Sequence, residues 1–233
     1  MAVNAMNELM AVTTGTLPEW SSMARVRSGI TGARWTDLVD QFGDAHKVIV
    51  KVSAMDMTVE AEVLAYAVST LSPGLVDIPA TALRQTADGR TVSVQYWRDG
   101  GMAHTDLSTS LRSDIVGMAA YDYIVHNADR HPGNAVQVPT GHHHHDRLVA
   151  IDHGAAFMTQ YPVDTRFAVG HVSGARVPHY IHDHMARIVA GADSLIRTGN
   201  TLGMGGPAAD VIDRADLWQH AQTFPTVRRR HVW

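Results

Sequence analysis

Apolar residues recur along the chain in two rhythms, and the change from one to the other divides it. Lys47-Val-Ile-Val-Lys-Val52 is β-branched and predicts a strand, and Met23 to Ser28 alternates weakly enough to predict a short one. The glycines at 29, 32 and 43 read as a loop between them. Thr91 to Trp97 predicts another strand, entered from the Asp88-Gly89 turn. Thr58 is placed to cap a helix over Val59 to Ser72, with Val63, Leu64, Ala67, Val68 and Leu71 on one side and Pro73-Gly74 ending it.

After Arg98-Asp-Gly-Gly101, which reads as a hinge, the spacing lengthens. Leu111, Ile115, Met118, Ala119, Tyr123 and Ile124 recur at three to four residues and predict a helix over Ser108 to Asn127. Two short apolar runs, Ala135 to Val138 and Leu148 to Ile151, predict a hairpin whose tip holds Pro139-Thr-Gly141 and four histidines. His179 to Thr198 and Pro207 to Phe224 predict closing helices, the second opening on proline. The Met-rich start reads as a loosely ordered arm. The expected fold is therefore α+β and two-lobed: residues 1–100 a small β-rich lobe with one helix, residues 101–233 a mainly helical lobe.

The hairpin matters for chemistry because of what flanks it. Asp129-Arg-His-Pro-Gly-Asn134 precedes it, and Ile151-Asp-His-Gly154 closes it about 18 residues on. The hairpin returns Asp152 to the loop that presents Asp129 and Asn134. An amide and a carboxylate offered together suit a hard divalent cation such as Mg²⁺, which keeps its other positions for water and phosphate. The remaining carboxylate is free to orient a hydroxyl nucleophile. This is the division of labour that phosphoryl transfer needs.

These motifs resemble known kinases. Asp-Arg-His-x-x-Asn followed by Asp-x-Gly is similar to the catalytic and metal-binding loops of phosphatidylinositol 3-/4-kinases, and Asn127-x-Asp129-x-His131-x-x-Asn134 is similar to the loop of HipA-like serine/threonine kinases. The order of Glu62 to Tyr66, Ile78-Pro-Ala-Thr81, Val94-Gln95, Asn127 to Arg130 and Ile151 to Gly154 resembles a small bacterial phosphatidylinositol 3-/4-kinase-like family over roughly residues 15–178. The resemblance implies a two-lobed protein-kinase-like fold and ATP and Mg²⁺ as cofactors. It makes Lys51 the lysine on the ATP phosphates, with Lys47 the competitor, and Glu62 its partner, with Glu60 the fallback. Gln95, Tyr96 and Trp97 would meet the adenine at the hinge, and Ser21 and Ser22 would cover the phosphates. Asp129 would orient or deprotonate the acceptor hydroxyl with His131 near the transferred phosphate, and Asn134 and Asp152 would hold Mg²⁺. The chain departs from the pattern twice. It has no Gly-x-Gly-x-x-Gly loop, and His153 stands where Asp-Phe-Gly has its Phe.

Composition narrows the alternatives. The 233 residues are 45% hydrophobic and 18% charged, a folded composition. A formal charge of -4 argues against a broad nucleic-acid surface. The absence of cysteine removes thiolate metal sites and thiol nucleophiles. No apolar run is long enough to span a bilayer and the N-terminus lacks a basic flank, so no integral membrane association and a cytoplasmic location are expected. His142 to His145 with His126 and His131 raise a rival, a His/Asp metal hydrolase, but adjacent histidines at a hairpin tip point in alternate directions. A catalytically inactive kinase-fold binding module is the other alternative. The acceptor is a hydroxyl on a protein, a small molecule or a lipid; Ala155 to Arg176 carries only Arg166, Arg176 and His171 as basic residues, so a phosphoinositide headgroup is poorly supported.

Overall fold

The computed structural model describes residues 2–26, 32–54, 57–102, 107–108, 110–140, 145–163 and 167–226. Of the positions singled out in the sequence, Ser28, Gly29, Gly141, His142 to His144, Arg166 and the basic tail Arg228 to Arg230 lie outside these residues.

Five strands make the first sheet: β1 (Ala24–Arg25), β2 (Arg34–Val39), β3 (Ala45–Lys51), β4 (Thr81–Gln85) and β5 (Thr91–Tyr96), all antiparallel, in the order β1-β2-β3-β5-β4. Strand alternation decides what each β3 side chain meets. Val48 and Val50 are fully buried in a small core with Leu38, Val92 and Val94, while Lys47, Ile49 and Lys51 point to the opposite face. The strands predicted around Val48 and Val94 are present, and the region read as a glycine loop contains β2. Residues 2–13 are not a loose arm but helix α1 (Ala2–Thr13). Val12 inserts into the small core, and Arg84 of β4 donates to the carbonyls of Val12, Thr14 and Gly15 at 3.3, 2.8 and 2.5 Å. The guanidinium thus satisfies acceptors that a helix end leaves open.

Helix α2 (Val59–Leu71) starts where the sequence predicted, with the Thr58 hydroxyl accepting from the Ala61 N–H at 3.1 Å. Although α2 precedes the hinge in the chain, its Leu64 and Val68 are buried in the larger core, which is built mainly from the second half. Helix α3 (Arg112–Ile124) lies beside it. The Tyr121 hydroxyl donates to the Ala65 carbonyl. Gly117 brings α3 against the segment that follows α2: a Cβ there would sit 1.8 Å from the Leu75 carbonyl oxygen. Removing the cap by Thr58→Ala is expected to cost about 1 kcal/mol. In a chain of this size the melting temperature should fall by roughly 2–4 °C, measured by thermal unfolding.

Beyond the hinge, β6 (Gly101–Met102), β7 (Ala135–Val138) and β8 (Arg147–Ala150) form a second antiparallel sheet, which contains the predicted hairpin. Helices α4 (Ala168–Val172), α5 (His179–Ala190), α6 (Ala192–Thr201) and α7 (Gly205–Trp218) close the molecule. The single helix expected over His179 to Thr198 is two helices that meet at Gly191, whose Cβ would lie 2.7 Å from Leu71. The last helix ends before Phe224, which is buried in the large core and donates its N–H to the Ala175 carbonyl at 2.8 Å. The architecture is α+β and two-lobed, an antiparallel sheet set beside a mainly helical body.

Candidate active site

The site begins with the end of β3. Lys51 emerges on the face opposite the small core, and β3–β5 pairing sets it against Ser93 and sets Ile49 against Gln95. Its Nζ donates to Glu62 Oε1 at 2.6 Å and to Asp152 Oδ1 at 3.2 Å. Glu62 lies in the first turns of α2, so the helix cap and the ion pair are fixed by the same local structure. Glu60 takes no part in this pair. Lys47 is elsewhere, with its Nζ 4.8 Å from the Trp35 ring centroid and 4.1 Å from that of Trp97, a cation held between two indoles.

The floor of the site follows α3. The Asn127 side chain accepts from the Asp129 N–H at 3.0 Å, and this short turn presents Asp129. His131 accepts from the Gly133 N–H through Nδ1 at 3.0 Å, so the proton of a neutral ring sits on Nε2, 3.9 Å from Asp129 Oδ2. Asn134 donates through Nδ2 to the Asp129 carbonyl at 2.8 Å, which leaves its Oδ1 as the atom available to a cation. The hairpin register pairs Ala135 with Ala150, and the Ile151 N–H donates to the Asn134 carbonyl at 3.1 Å. Asp152 is thereby delivered next to Asn134, as its spacing predicted. Its φ is 56°, a left-handed conformation that Asp tolerates better than most residues.

Between sheet and floor lies a cleft of about 420 Å³, within the range of small-molecule sites. Lys51, Gln95, Tyr96, Trp97, Asp129, His131, Asn134 and Asp152 all line it, with Ile49 above and Val136 and Ile151 among the apolar walls. Glu62 stands behind Lys51, 2% exposed. Ser21 and Ser22 are not among the lining residues. Their turn is tied elsewhere: the Ser22 hydroxyl donates to the Glu19 carbonyl, Arg34 donates to the Ser21 carbonyl, and Asp88 accepts from the Trp20 N–H. Val26 and Ala33, from the β1 and β2 ends, line the cleft instead. The apolar contributors Ile49, Met57, Val136 and Ile151 were not read from the sequence as lining residues, although strand alternation places Ile49 on the same face as Lys51.

Charge is distributed unevenly in the cleft. Burial pushes the Lys51 pKa down, but Glu62 and Asp152 outweigh it and hold the ammonium above the usual lysine value. Burial pushes Asp152 up, and the charge and hydrogen bond of Lys51 bring its carboxyl below the ordinary range. Burial dominates at Glu62 and pushes it upward against the pull of Lys51. The neighbouring Asp152 charge adds to that push, yet with an ammonium 2.6 Å from Oε1 the charged pair is the state the geometry supports. Asn134 and Asp152 could offer two oxygen ligands, a set that would suit Mg²⁺, an ion that usually takes one or two carboxylates and completes its shell with water and phosphate. Among the described residues no group of three or more His, Asp or Glu side chains gathers as a metal-ligand set.

No protein-family model matches the chain, and no curated protein matches it. Among solved structures it is similar to the Helicobacter pylori proinflammatory kinase CtkA, at 10% identity and a TM-score of 0.48, over 89% of this chain and 95% of that one. It is also similar to the N-terminal 618-residue fragment of LepB from Legionella pneumophila, at 14% identity and a TM-score of 0.39, over 73% of this chain and 35% of the fragment. No helix among the described residues is long and apolar enough to cross a membrane.

Proposed function

We propose that this chain is a kinase, an ATP- and Mg²⁺-dependent phosphotransferase that moves the γ-phosphoryl group to a hydroxyl acceptor. Residues 1–100 supply the nucleotide-binding sheet and residues 101–233 the catalytic and metal-binding loops. The reading rests on one observation: Lys51, distant in sequence from Asp152, contacts both Glu62 and Asp152 at the head of a cleft that also holds Asp129, His131 and Asn134. A strand lysine, two carboxylates and an amide converging on an enclosed apolar slot supply what phosphoryl transfer requires, positioning plus stabilisation of charge.

In this reading Ile49 and Val136 enclose the adenine beside the Gln95 to Trp97 hinge, and Lys51 binds phosphate oxygens. Asn134 Oδ1 and the Asp152 carboxylate hold Mg²⁺, which when bound neutralises charge on the phosphates. Asp129 orients the acceptor hydroxyl and takes its proton as the new O–P bond forms and ADP leaves. His131 donates through Nε2 toward the transferred group. The acceptor is a protein Ser/Thr, a small molecule or a lipid.

The test is incubation with γ-labelled ATP and Mg²⁺, with and without cell lysate, comparing wild type with Asp129→Asn. Transfer of label by wild type and its loss in the variant by at least about 100-fold is expected, the scale of removing one positioned proton acceptor. Nucleotide binding with no labelled product from either protein would identify a binding module. Activity that needs Zn²⁺ or Mn²⁺ but no ATP would identify a hydrolase.

A further inference from the structure

Arg130 has no part in that scheme, yet it is fully buried beneath the cleft. Its Nε faces both oxygens of Asp122 on α3, at 3.2 and 3.1 Å. Nη1 donates to the Asn134 carbonyl and, at 2.7 Å, to the Ile151 carbonyl. Nη2 lies 2.8 Å from His153 Nε2. Three segments that bear on the cleft, the α3 helix, the Asp129 loop and the end of the hairpin, are thus joined by one planar group.

A guanidinium only donates, so His153 Nε2 must accept. The ring is therefore neutral with its proton on Nδ1, which is buried with no hydrogen-bond partner among the described residues. Burial, with Arg130 and Lys51 adding to it, pushes the His153 pKa well below the ordinary histidine value, consistent with a ring that stays neutral. The Tyr121 ring meets it edge-on, centroids 5.8 Å apart. A phenylalanine here would fill similar space and accept nothing, leaving Nη2 in a dry pocket without a partner.

We propose that Arg130, with His153 as its acceptor, is a positioning residue that fixes the separation of Asn134 and Asp152 before nucleotide arrives; the inference rests on the phosphotransfer reading above. Arg130 grips the chain on both sides of Asp152, at the Ile151 carbonyl and the His153 ring, and so holds the left-handed backbone at Asp152. It grips Asn134 at the carbonyl of that same residue. The backbone that carries each side chain offered to the cation is then anchored to a single rigid plane. The residue after the metal-binding aspartate is locked inward rather than free to swing.

The experiment measures ATP binding to the full chain by calorimetry over graded Mg²⁺, alongside melting temperature, for wild type, His153→Phe and His153→Gln. Glutamine can place an acceptor oxygen near the position of Nε2, and phenylalanine cannot. The Mg²⁺ midpoint for nucleotide binding should rise by about 10- to 100-fold in His153→Phe, the range for loss of a group that orients a metal ligand. It should return toward wild type in His153→Gln. If His153→Phe does not fold, Arg130→Lys takes its place: it keeps a charge opposite Asp122, cannot reach every acceptor, and should shift the midpoint the same way. A folded Phe variant with an unmoved midpoint overturns the inference and leaves the kinase reading intact. Equal shifts in the Phe and Gln variants that track their melting temperatures also overturn it, because packing alone would then explain them. Wild-type protein that binds ATP without any dependence on Mg²⁺ overturns the phosphotransfer reading, and the inference with it.

Discussion

Asp152→Asn should abolish Mg²⁺-dependent phosphoryl transfer while leaving the fold in place. The substitution removes one charge and little else: the carboxylate contacts Lys51 at 3.2 Å, and Lys51 keeps its closer partner Glu62 at 2.6 Å. Asparagine also tolerates the left-handed backbone at this position. Alanine would add roughly 1 kcal/mol of strain and confuse the result. Loss of a preorganised charge in a water-poor cleft is worth at least about 100-fold in turnover. Label transfer from γ-labelled ATP measures that loss, and circular dichroism with thermal unfolding checks the fold. A variant that consumed ATP at the wild-type rate would remove Asp152 from the site.

The largest expected stability change lies beneath the cleft. Asp122→Asn should lower the unfolding free energy by about 3–5 kcal/mol, because it leaves the Arg130 charge buried without its counter-ion. Both side chains of this pair are fully buried, at 3.1 Å. Water therefore cannot compensate as it does at a surface pair. The corresponding fall in melting temperature is about 6–20 °C, and urea unfolding would give the free energy directly. A loss under about 1 kcal/mol would mean that solvent reaches the guanidinium.

What the sequence made legible was local. The Thr58 cap, the β-branched run around Val48 and the return of Asp152 to Asn134 each depend on contacts within a helix turn, a strand or a hairpin, and each is present. Longer-range placement was not legible. Ser21 and Ser22 precede β1, but the pairing of Ala24 with Trp35 turns Val26 and Ala33 toward the cleft. Strand β2 was hidden because Leu38 is its one fully buried residue, so its alternation is faint beside neighbouring glycines. The bend at Gly191 follows from Leu71, more than a hundred residues earlier, and no periodicity within α5 and α6 announces it. Arg130 was visible as part of a motif, whereas its burial was not. A charged residue is normally read as solvated, and only the meeting of Asp122, Asn134, Ile151 and His153 makes a dry guanidinium stable.

Helix α2 is anchored on two sides. Leu64 and Val68 are buried in the large core, Tyr121 clasps the Ala65 carbonyl, and Gly117 brings α3 against Leu75. The same helix also packs on strands β4 and β5, and its Tyr66 rests against the small core as well as the large one, so α2 is held from both the sheet and the helical body. With the helix gripped on both sides, Glu62 is a fixed post against which the β3 lysine is braced at 2.6 Å.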